Sequence, residues 1–334
     1  MQPGKPQHLH VLIPGEYSTP TAIWHSNLAS IRLRSALAAK SMSDSGWTSS
    51  VGESVSGSPD VLLVGKIGSN DIVRRTSEWL EKLLSAKNSG CRIILDYTDN
   101  HLGFDSPMRP FYQEAITLAD HLVAPGAFLS EQLSTRLKTP ITLIPDPIEV
   151  PIVPAKIGGN QSTLRALWFG HRTNVSYLIE FIDNKLHSTD TLELIVLSDE
   201  IALEALRQHQ FKTRASISLK LASWSIENLI KAAKISDMCI VPSNLSDPRK
   251  AGASSNRLIT ALSLGLPTAV NMLHSYAEFR DYVVDIESDF FRDFLKDPAC
   301  MNSKISTAQT EIVPSFFAEV IGKQWLRLIE QSIH

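Results

Sequence analysis

The fold is decided by the sequence MCIVPS at residues 238–243, followed after a polar loop by SSNRLITALSLGLP at residues 254–267. The apolar run 238–241 is typical of a strand that is buried on both faces. Ser254 or Ser255 can cap a helix whose apolar residues recur at helical spacing. Gly265 suits the left-handed residue that ends a helix, and Pro267 prevents its continuation. The stretch therefore predicts a strand, a loop, a helix and the start of another buried strand.

The predicted helix begins just beyond the carboxyl end of a parallel strand. Its free N–H groups and its dipole therefore point into the crevice above the sheet. Arg249, Lys250 and Arg257 gather around the same end. This arrangement suits an anion such as a diphosphate. The residues leave one alternative open, which is an ordinary strand–helix crossover with a solvated basic loop.

Composition limits the class of protein. The 334 residues suggest about two domains, at roughly 150 residues each. A chain with 43% hydrophobic and 20% charged residues is ordinary for globular proteins, and a net charge of -3 argues against a general nucleic-acid binder. Cys91, Cys239 and Cys300 are far apart and lack zinc or disulfide spacing, which indicates free thiols in a reducing compartment. With no long apolar segment, we expect a cytoplasmic protein.

Strand-like and helix-like segments alternate along most of the chain, which predicts parallel, doubly wound α/β domains. We expect an N-terminal domain over residues 1–145, a proline-rich linker over 146–162 and a second domain over 163–312. Helix caps are predicted at 69–71, and a helix is predicted over 27–40. An irregular acidic tail is expected after Tyr282, before a closing amphipathic helix within 313–334.

The order of these segments resembles a known family. Residues 168–267 are similar to the donor domain of nucleotide-sugar glycosyltransferases with the GT-B fold, and most of all to the family-4 type, "glycosyltransferase group 1". The resemblance rests on WFG at 168–170, AAKISD at 232–237 and the SNR…ALSLGLP run that ends at Pro267. The first half is similar in its order and in IPDP at 144–147. The resemblance implies two Rossmann-like domains that face each other across a cleft, with the C-terminal helix crossing back to the first domain.

The resemblance implies an enzyme that moves a sugar from a nucleotide-sugar donor to a glycan or lipid-linked acceptor. The donor nucleoside (UDP, GDP or CMP type) stays open. Such enzymes do not normally need a metal or another cofactor, and family likeness favours retention of the anomeric configuration. A role in polysaccharide or glycolipid biosynthesis is expected, with no nucleic-acid partner and at most peripheral contact with a membrane.

The resemblance also places the donor on particular residues. Carried over by position, the donor-binding residues are Gly170, His171, Arg172, Lys250, Ser255, Asn256, Arg257, Thr260 and Glu278. Fixed cations at that place would stabilise the nucleotide as it leaves with negative charge. One departure matters, because Gly252 and Thr260 stand where the family usually has two glutamates. That departure leaves altered specificity and inactivity both open.

In the N-terminal domain, Asp99 and His101 follow a predicted strand and are the candidate catalytic residues, which would orient the acceptor or the donor sugar. The alternative for His101 is a surface loop histidine. Glu16 and Arg32 are weaker candidates. The basic helix that carries Arg32 and Arg34 is interpreted as a solvated face rather than a lipid-binding one.

Two further functions remain open on sequence alone. One is a nucleotide-sugar epimerase of the same fold. The other is a catalytically silent scaffold or binding subunit, which the missing glutamates suggest.

Overall fold

The computed structural model describes residues 6–55, 57–68, 73–155 and 163–333. In these ranges the chain forms two six-stranded sheets, and every strand pairing in them is parallel. The first sheet contains β1 (His8–Leu12), β2 (Thr48–Gly52), β3 (Val61–Val64), β4 (Arg92–Asp96), β5 (His121–Ala124) and β6 (Ile141–Leu143). The second contains β7 (Leu164–Phe169), β8 (Thr191–Ser198), β9 (Ser216–Ser223), β10 (Met238–Val241), β11 (Thr268–Val270) and β12 (Val284–Asp285).

Helices connect the strands in both sheets. The described α-helices are α1 (Ala36–Asp44), α2 (Thr76–Asn88), α3 (Arg109–Leu118), α4 (Ala127–Ser134), α5 (Val175–Lys185), α6 (Glu200–Gln208), α7 (Ile226–Ile235), α8 (Asn256–Ser263), α9 (Phe290–Lys296), α10 (Asn302–Glu311) and α11 (Ala318–Ser332). Parallel strands need such crossovers, since their ends lie at opposite edges of the sheet. Two parallel sheets with interleaved helices confirm the predicted two-domain α/β fold class. No described helix has both the length and the apolar character that a membrane span requires.

The chain divides into two compact units. The first unit contains the described residues up to Pro147, the segment Ala251–Ser254 and the residues from Phe316 onward. Its strand order is β2-β1-β3-β4-β5-β6. Helix α11 packs against α1, and Trp325 of α11 is fully buried in the core of this unit.

The second unit contains the described residues of Ile148–Lys250 and Ser255–Ser315. Its strand order is β12-β11-β10-β7-β8-β9, which is the Rossmann order. The order reverses between β7 and β10, where Met238 pairs with Ala166. In doubly wound sheets the loops after two such strands diverge, and the resulting crevice is expected at this point of the carboxyl edge.

The deciding stretch has the predicted elements. The strand covers Met238–Val241, and the helix begins at Asn256 with Ser255 as its N-cap, although Ser255 makes no side-chain capping hydrogen bond. Gly265 has φ +71°, the left-handed conformation expected for it. A Cβ at this residue would also lie 2.4 Å from the Val153 carbonyl oxygen, so the position needs glycine for two reasons.

Other predictions were wrong or lie outside the described ranges. Strand β2 was not predicted. The expected irregular tail after Tyr282 instead contains β12, α9 and α10. The helix predicted over 27–40 begins as a π-helix at Ile31–Ser35 and continues as an α-helix to Asp44. The predicted caps at 69–71 and the linker residues 156–162 fall outside the description.

Candidate functional site

The crevice of the second unit is bordered on one side by Gly170, directly after β7. Its N–H donates to the Leu197 carbonyl at 3.1 Å, and its own carbonyl accepts from the Ser198 hydroxyl at 2.6 Å. A Cβ at residue 170 would lie 3.2 Å from the Trp168 ring and 3.3 Å from Nη1 of Arg257. The absence of a side chain therefore lets the Arg257 guanidinium lie against the end of β7.

Arg257 lies in the first turn of α8 and is half-buried. Its Nη1 atom is buried, and within the described part of the chain it has neither a hydrogen-bond acceptor nor a carboxylate partner. Burial raises the pKa of Tyr276, and the nearby positive charge of Arg257 acts in the opposite direction. A buried N–H of a cation without an acceptor is costly, and an anionic ligand would remove that cost.

Two serine hydroxyls lie at the same edge of the sheet. Ser243 follows β10, and its N–H donates to Oδ1 of Asn271, which follows β11, at 2.9 Å. The hydroxyl oxygens of Ser243 and Ser275 are buried and have no hydrogen-bond partner among the described residues. Sequence reasoning missed both serines. The available signal was their position just beyond strands β10 and β11.

The loop between β10 and α8 is fixed by Asp247, which is 9% exposed. Its carboxylate accepts a hydrogen bond from the Tyr177 hydroxyl at 2.5 Å and binds the exposed Arg249 guanidinium at 2.6 Å. Burial, together with Asp247, raises the pKa of Tyr177 to about 12. The next cation, Lys250, donates to Oδ1 of Asn174 at 2.7 Å. Lys250 is thereby held beside the first turn of α5.

Other residues that were predicted to bind the nucleotide-sugar donor are exposed or already make hydrogen bonds within the protein. Arg172 is exposed, and its guanidinium lies 3.9 Å from Asp199. The His171 side chain accepts a hydrogen bond from the N–H of Thr173, and Glu278 is exposed. Thr260 is buried in α8 and donates to Oδ1 of Asn256 at 3.4 Å, so its hydroxyl is engaged inside the helix. Arg257 and Gly170 form the centre of the site, and the two serines lie at the same edge of the sheet.

The first unit brings Asp99 and His101 together. Nε2 of His101 lies 3.7 Å from Oδ2 of Asp99, and that carboxylate binds Nζ of Lys66 at 2.6 Å. The imidazole stacks on Tyr112 at 4.5 Å, and Nδ1 lies 2.7 Å from the Ser106 hydroxyl. His101 is therefore largely buried rather than a surface loop residue. Burial lowers its pKa, which favours the neutral imidazole near pH 7.

The hydrogen bonds of Ser106 favour one tautomer of His101. The Ser106 oxygen accepts from the N–H of Met108 at 3.2 Å, so its own proton is available to Nδ1 of His101. The imidazole proton then resides on Nε2, which is buried and has no hydrogen-bond acceptor among the described residues. An Nε2–H group in this environment can donate to a ligand oxygen.

The predicted solvated face of the basic helix was wrong for Arg34, which is 1% exposed. Its guanidinium binds both carboxylate oxygens of Asp96 at 2.7 Å and one oxygen of Asp146 at 2.9 Å. It also donates to the Ile144 carbonyl and lies 5.4 Å from the centre of the Trp325 ring. Although burial opposes charge, the two carboxylates raise the pKa of Arg34 above its usual value. Among the weaker candidates, Glu16 accepts from the Ser54 hydroxyl and Arg32 donates to the Ser26 carbonyl.

Two parallel sheets of this kind, with this order of elements, are the GT-B type of fold, and the chain resembles solved glycosyltransferase structures over nearly its whole length. It is similar to a glycosyltransferase from Rickettsia africae, with a TM-score of 0.63, 11% identity and coverage of 98% of this chain and 99% of that one. An α-glucosyltransferase solved with UDP-glucose and DNA has a TM-score of 0.60, 11% identity and coverage of 97% and 99%.

A lipopolysaccharide outer core galactosyltransferase has a TM-score of 0.54, 13% identity and coverage of 97% and 99%. At these identities the likeness establishes the fold alone. The sequence matches no protein-family model and no curated protein. The assignment to family 4 therefore stays a prediction.

Proposed function

We propose that the protein is a glycosyltransferase that moves a hexose from a nucleotide-sugar donor to a glycan or lipid-linked acceptor. The second unit would hold the donor, and the first unit would hold the acceptor. The observation that carries the proposal is the buried Nη1 of Arg257 at the reversal of strand order, which has no hydrogen-bond partner among the described residues. Crevices at this point in doubly wound sheets are where such folds bind nucleotides.

The chemistry of the site supports phosphate binding. The guanidinium of Arg257 and the first N–H groups of α8 present positive charge at one place. A departing nucleotide gains negative charge as the glycosidic bond breaks, so fixed donors there stabilise the transition state more than the ground state. Ser243 and Ser275 supply hydroxyls for further phosphate or sugar oxygens. His101, through its Nε2–H, is proposed to orient the sugar or the acceptor, with Asp99 beside it.

Finer features of the reaction are also proposed. We expect retention of the anomeric configuration, no metal requirement and a role in glycolipid or surface-polysaccharide assembly on the cytoplasmic side, with at most peripheral membrane contact. In the described ranges, no three His, Cys, Asp or Glu side chains are grouped so that they could hold a metal ion. The anomer of the product, assigned by NMR, tests retention directly.

A silent binding subunit is the second candidate, and one observation favours it. A Cβ at residue 252 would lie 2.5 Å from the Leu129 side chain, so this position has no room for the glutamate that the family usually carries there. With Thr260 engaged inside α8, neither position offers a carboxylate to a ribose. A protein that binds a nucleotide and never turns the donor over would fit this candidate.

The experiment is a thermal-shift and calorimetric screen of UDP, GDP and CMP and their sugars against the wild-type protein and Arg257→Ala. We expect one nucleotide to stabilise the wild type and to lose at least tenfold in affinity in the variant. Arg214→Ala is the matched control, because Arg214 is an exposed arginine before β9, at the opposite edge of the same sheet. It should bind as the wild type does.

The outcomes separate the candidate functions. A transferase is supported if the protein hydrolyses the bound donor slowly, transfers the sugar faster when an acceptor is added, and loses both activities in Arg257→Ala. Conversion of the donor sugar without any acceptor supports an epimerase. Nucleotide binding without turnover supports the silent subunit, whereas equal affinity in wild type and Arg257→Ala contradicts the site.

A further inference from the structure

A separate groove of about 220 Å³ lies on the first unit, between α3 and the turn that follows α4. Leu102, Ile116 and Leu137 form its apolar floor, and Arg109, Gln113 and Arg136 lie around it. Leu102 and Leu137 are half-buried and pack against the core of the unit, which also contains Ile116. The groove is therefore a hydrophobic depression with a polar rim.

The groove is built on one face of α3. Arg109, Gln113, Ile116 and Thr117 are spaced as i, i+4, i+7 and i+8, so they share one side of the helix. The other side carries Phe111, which is fully buried in the core. The helix thus uses one face for folding and presents the other to the groove.

Two cations that border this apolar floor have no carboxylate partner among the described residues. Arg109 makes no ion pair within the described part of the chain, and Arg136 makes only a 3.5 Å hydrogen bond to the Leu102 carbonyl. Some other arginines of this unit have carboxylate partners, as in the contact of Arg75 with Glu53 at 2.7 Å. Unpaired guanidinium groups beside exposed apolar surface complement a ligand that is anionic at one end and apolar at the other.

We propose that this groove binds the alkyl chain of an anionic amphiphile, a phosphate monoester of a lipid, with its phosphate on Arg109 and Arg136. A free phosphate would leave the apolar floor exposed, and a cationic amphiphile would be repelled by the two guanidinium groups. Leu102 directly follows His101, so the groove begins in the loop that carries the candidate catalytic pair. The assignment of the groove as the binding site of a lipid-linked acceptor rests on the proposed function, whereas lipid binding by the groove does not.

The experiment measures binding of dodecyl phosphate, below its micellar concentration, to the full chain by calorimetry with no sugar donor present. Dodecyltrimethylammonium, which has the same chain, and inorganic phosphate are the comparison ligands. We expect dodecyl phosphate to bind at least tenfold more tightly than either. Hexyl phosphate should bind at least tenfold more weakly than dodecyl phosphate, because it buries fewer methylene groups in the groove.

Variants test the location. Arg109→Ala combined with Arg136→Ala should weaken dodecyl phosphate binding at least tenfold, and Thr117→Trp should fill the groove and block binding. Lys138→Ala is the matched control, since Lys138 is an exposed cation close to Arg136 that does not line the groove. Circular dichroism and thermal unfolding establish that each variant is folded.

The proposal is overturned if the double arginine variant binds as the wild type does, if Lys138→Ala loses as much affinity, or if the cationic amphiphile binds equally well. The protein could also co-sediment with phosphatidate vesicles, equally well with Thr117→Trp, and fail to bind monomeric dodecyl phosphate. That result would show a general membrane contact and would also overturn the proposal. Nucleotide binding measured in the same variants keeps the two proposals separate. Loss of lipid binding with intact nucleotide binding concerns the groove alone.

Discussion

The Nη1 atom of Arg257 lies 3.3 Å from the point that a Cβ on residue 170 would occupy, so the shape of the crevice depends on Gly170 having no side chain. The Trp168 ring lies 3.2 Å from the same point. Gly170→Ala would therefore displace the guanidinium by a few tenths of an ångström or more.

We expect Gly170→Ala to fold and to bind the preferred nucleotide roughly tenfold more weakly, because hydrogen bonds to charged groups are sensitive to geometry. Calorimetric titration measures the loss. Gly126→Ala is the control, since a Cβ at Gly126 would meet nothing within 4 Å. Unchanged affinity in Gly170→Ala would argue that Arg257 is not in contact with the ligand.

Gly265 should be among the least replaceable residues of the second unit. Gly265→Ala imposes a left-handed conformation on alanine, at about 1–2 kcal/mol, and brings its Cβ against the Val153 and Pro154 backbone. We expect a loss of more than about 3 kcal/mol in the free energy of unfolding, measured by urea denaturation. Gly46→Ala separates the two causes, because Gly46 has φ +88° and nothing within 4 Å. Gly46→Ala should lower the free energy of unfolding only by the cost of the left-handed conformation. Equal losses in the two variants would contradict the steric explanation.

The buried ion pair of Arg34 with Asp96 should be costly to break. Asp96→Asn leaves a buried guanidinium without its bidentate partner and should lower the free energy of unfolding by about 3–5 kcal/mol. The exposed pair between Lys40 and Asp44, at 2.5 Å, is the comparison. Asp44→Asn should change stability by less than about 1 kcal/mol, since solvent screens exposed pairs. Similar losses in both variants would show that Arg34 finds another partner when Asp96 is neutral.

His10 should make stability depend on pH. It is 1% exposed, and its two ring nitrogens contact the Ser50 hydroxyl and the Gly52 carbonyl. Burial lowers its pKa below the usual 6.5, and the nearby charge of His8 acts in the same direction. The unfolded chain therefore takes up a proton first as the pH falls. The stabilising contribution is present above about pH 6.5 and is lost at lower pH.

His10→Gln should consequently flatten the fall in unfolding free energy between pH 7 and pH 5, measured by denaturation at fixed pH steps. The flattening is partial, because burial also lowers the pKa of His101 and of His121. His25→Gln, which alters an exposed histidine, should leave the slope as it is in the wild type. An identical slope in His10→Gln would mean that His10 contributes nothing to the pH dependence.

Local patterns were sufficient for the part of the fold that holds the site. The apolar run Met238–Val241, the helix start after Ser255 and the stop at Gly265 depend on residues close in sequence, and each lies where it was predicted, although Ser255 makes no side-chain capping hydrogen bond. Strand β2 was missed because its sequence, TSSVG, has little apolar periodicity and is recognisable only through its pairing with β1.

Long-range pairing explains what could not be predicted in the sites. Arg34 looked like a solvent-facing cation because its partners Asp96 and Asp146 are distant in the sequence. Ser243 and Ser275 carry no motif, and their significance comes from buried hydroxyls at one edge of a sheet that have no partner in the part of the chain that the structure describes. Thr260 was predicted because the resemblance places it where the family has a glutamate, whereas its hydroxyl donates to Asn256 within the same helix.

Trp325 completes the core of the first unit although it stands near the end of the chain. During synthesis on a ribosome, the strands of the first sheet would therefore emerge long before the side chain that fills the core of the unit. Until then, Arg34 would lack its contact with the Trp325 ring. We expect recombinant fragments that stop at Pro147 to aggregate or to be degraded, and co-expression with a peptide covering α11 to rescue them.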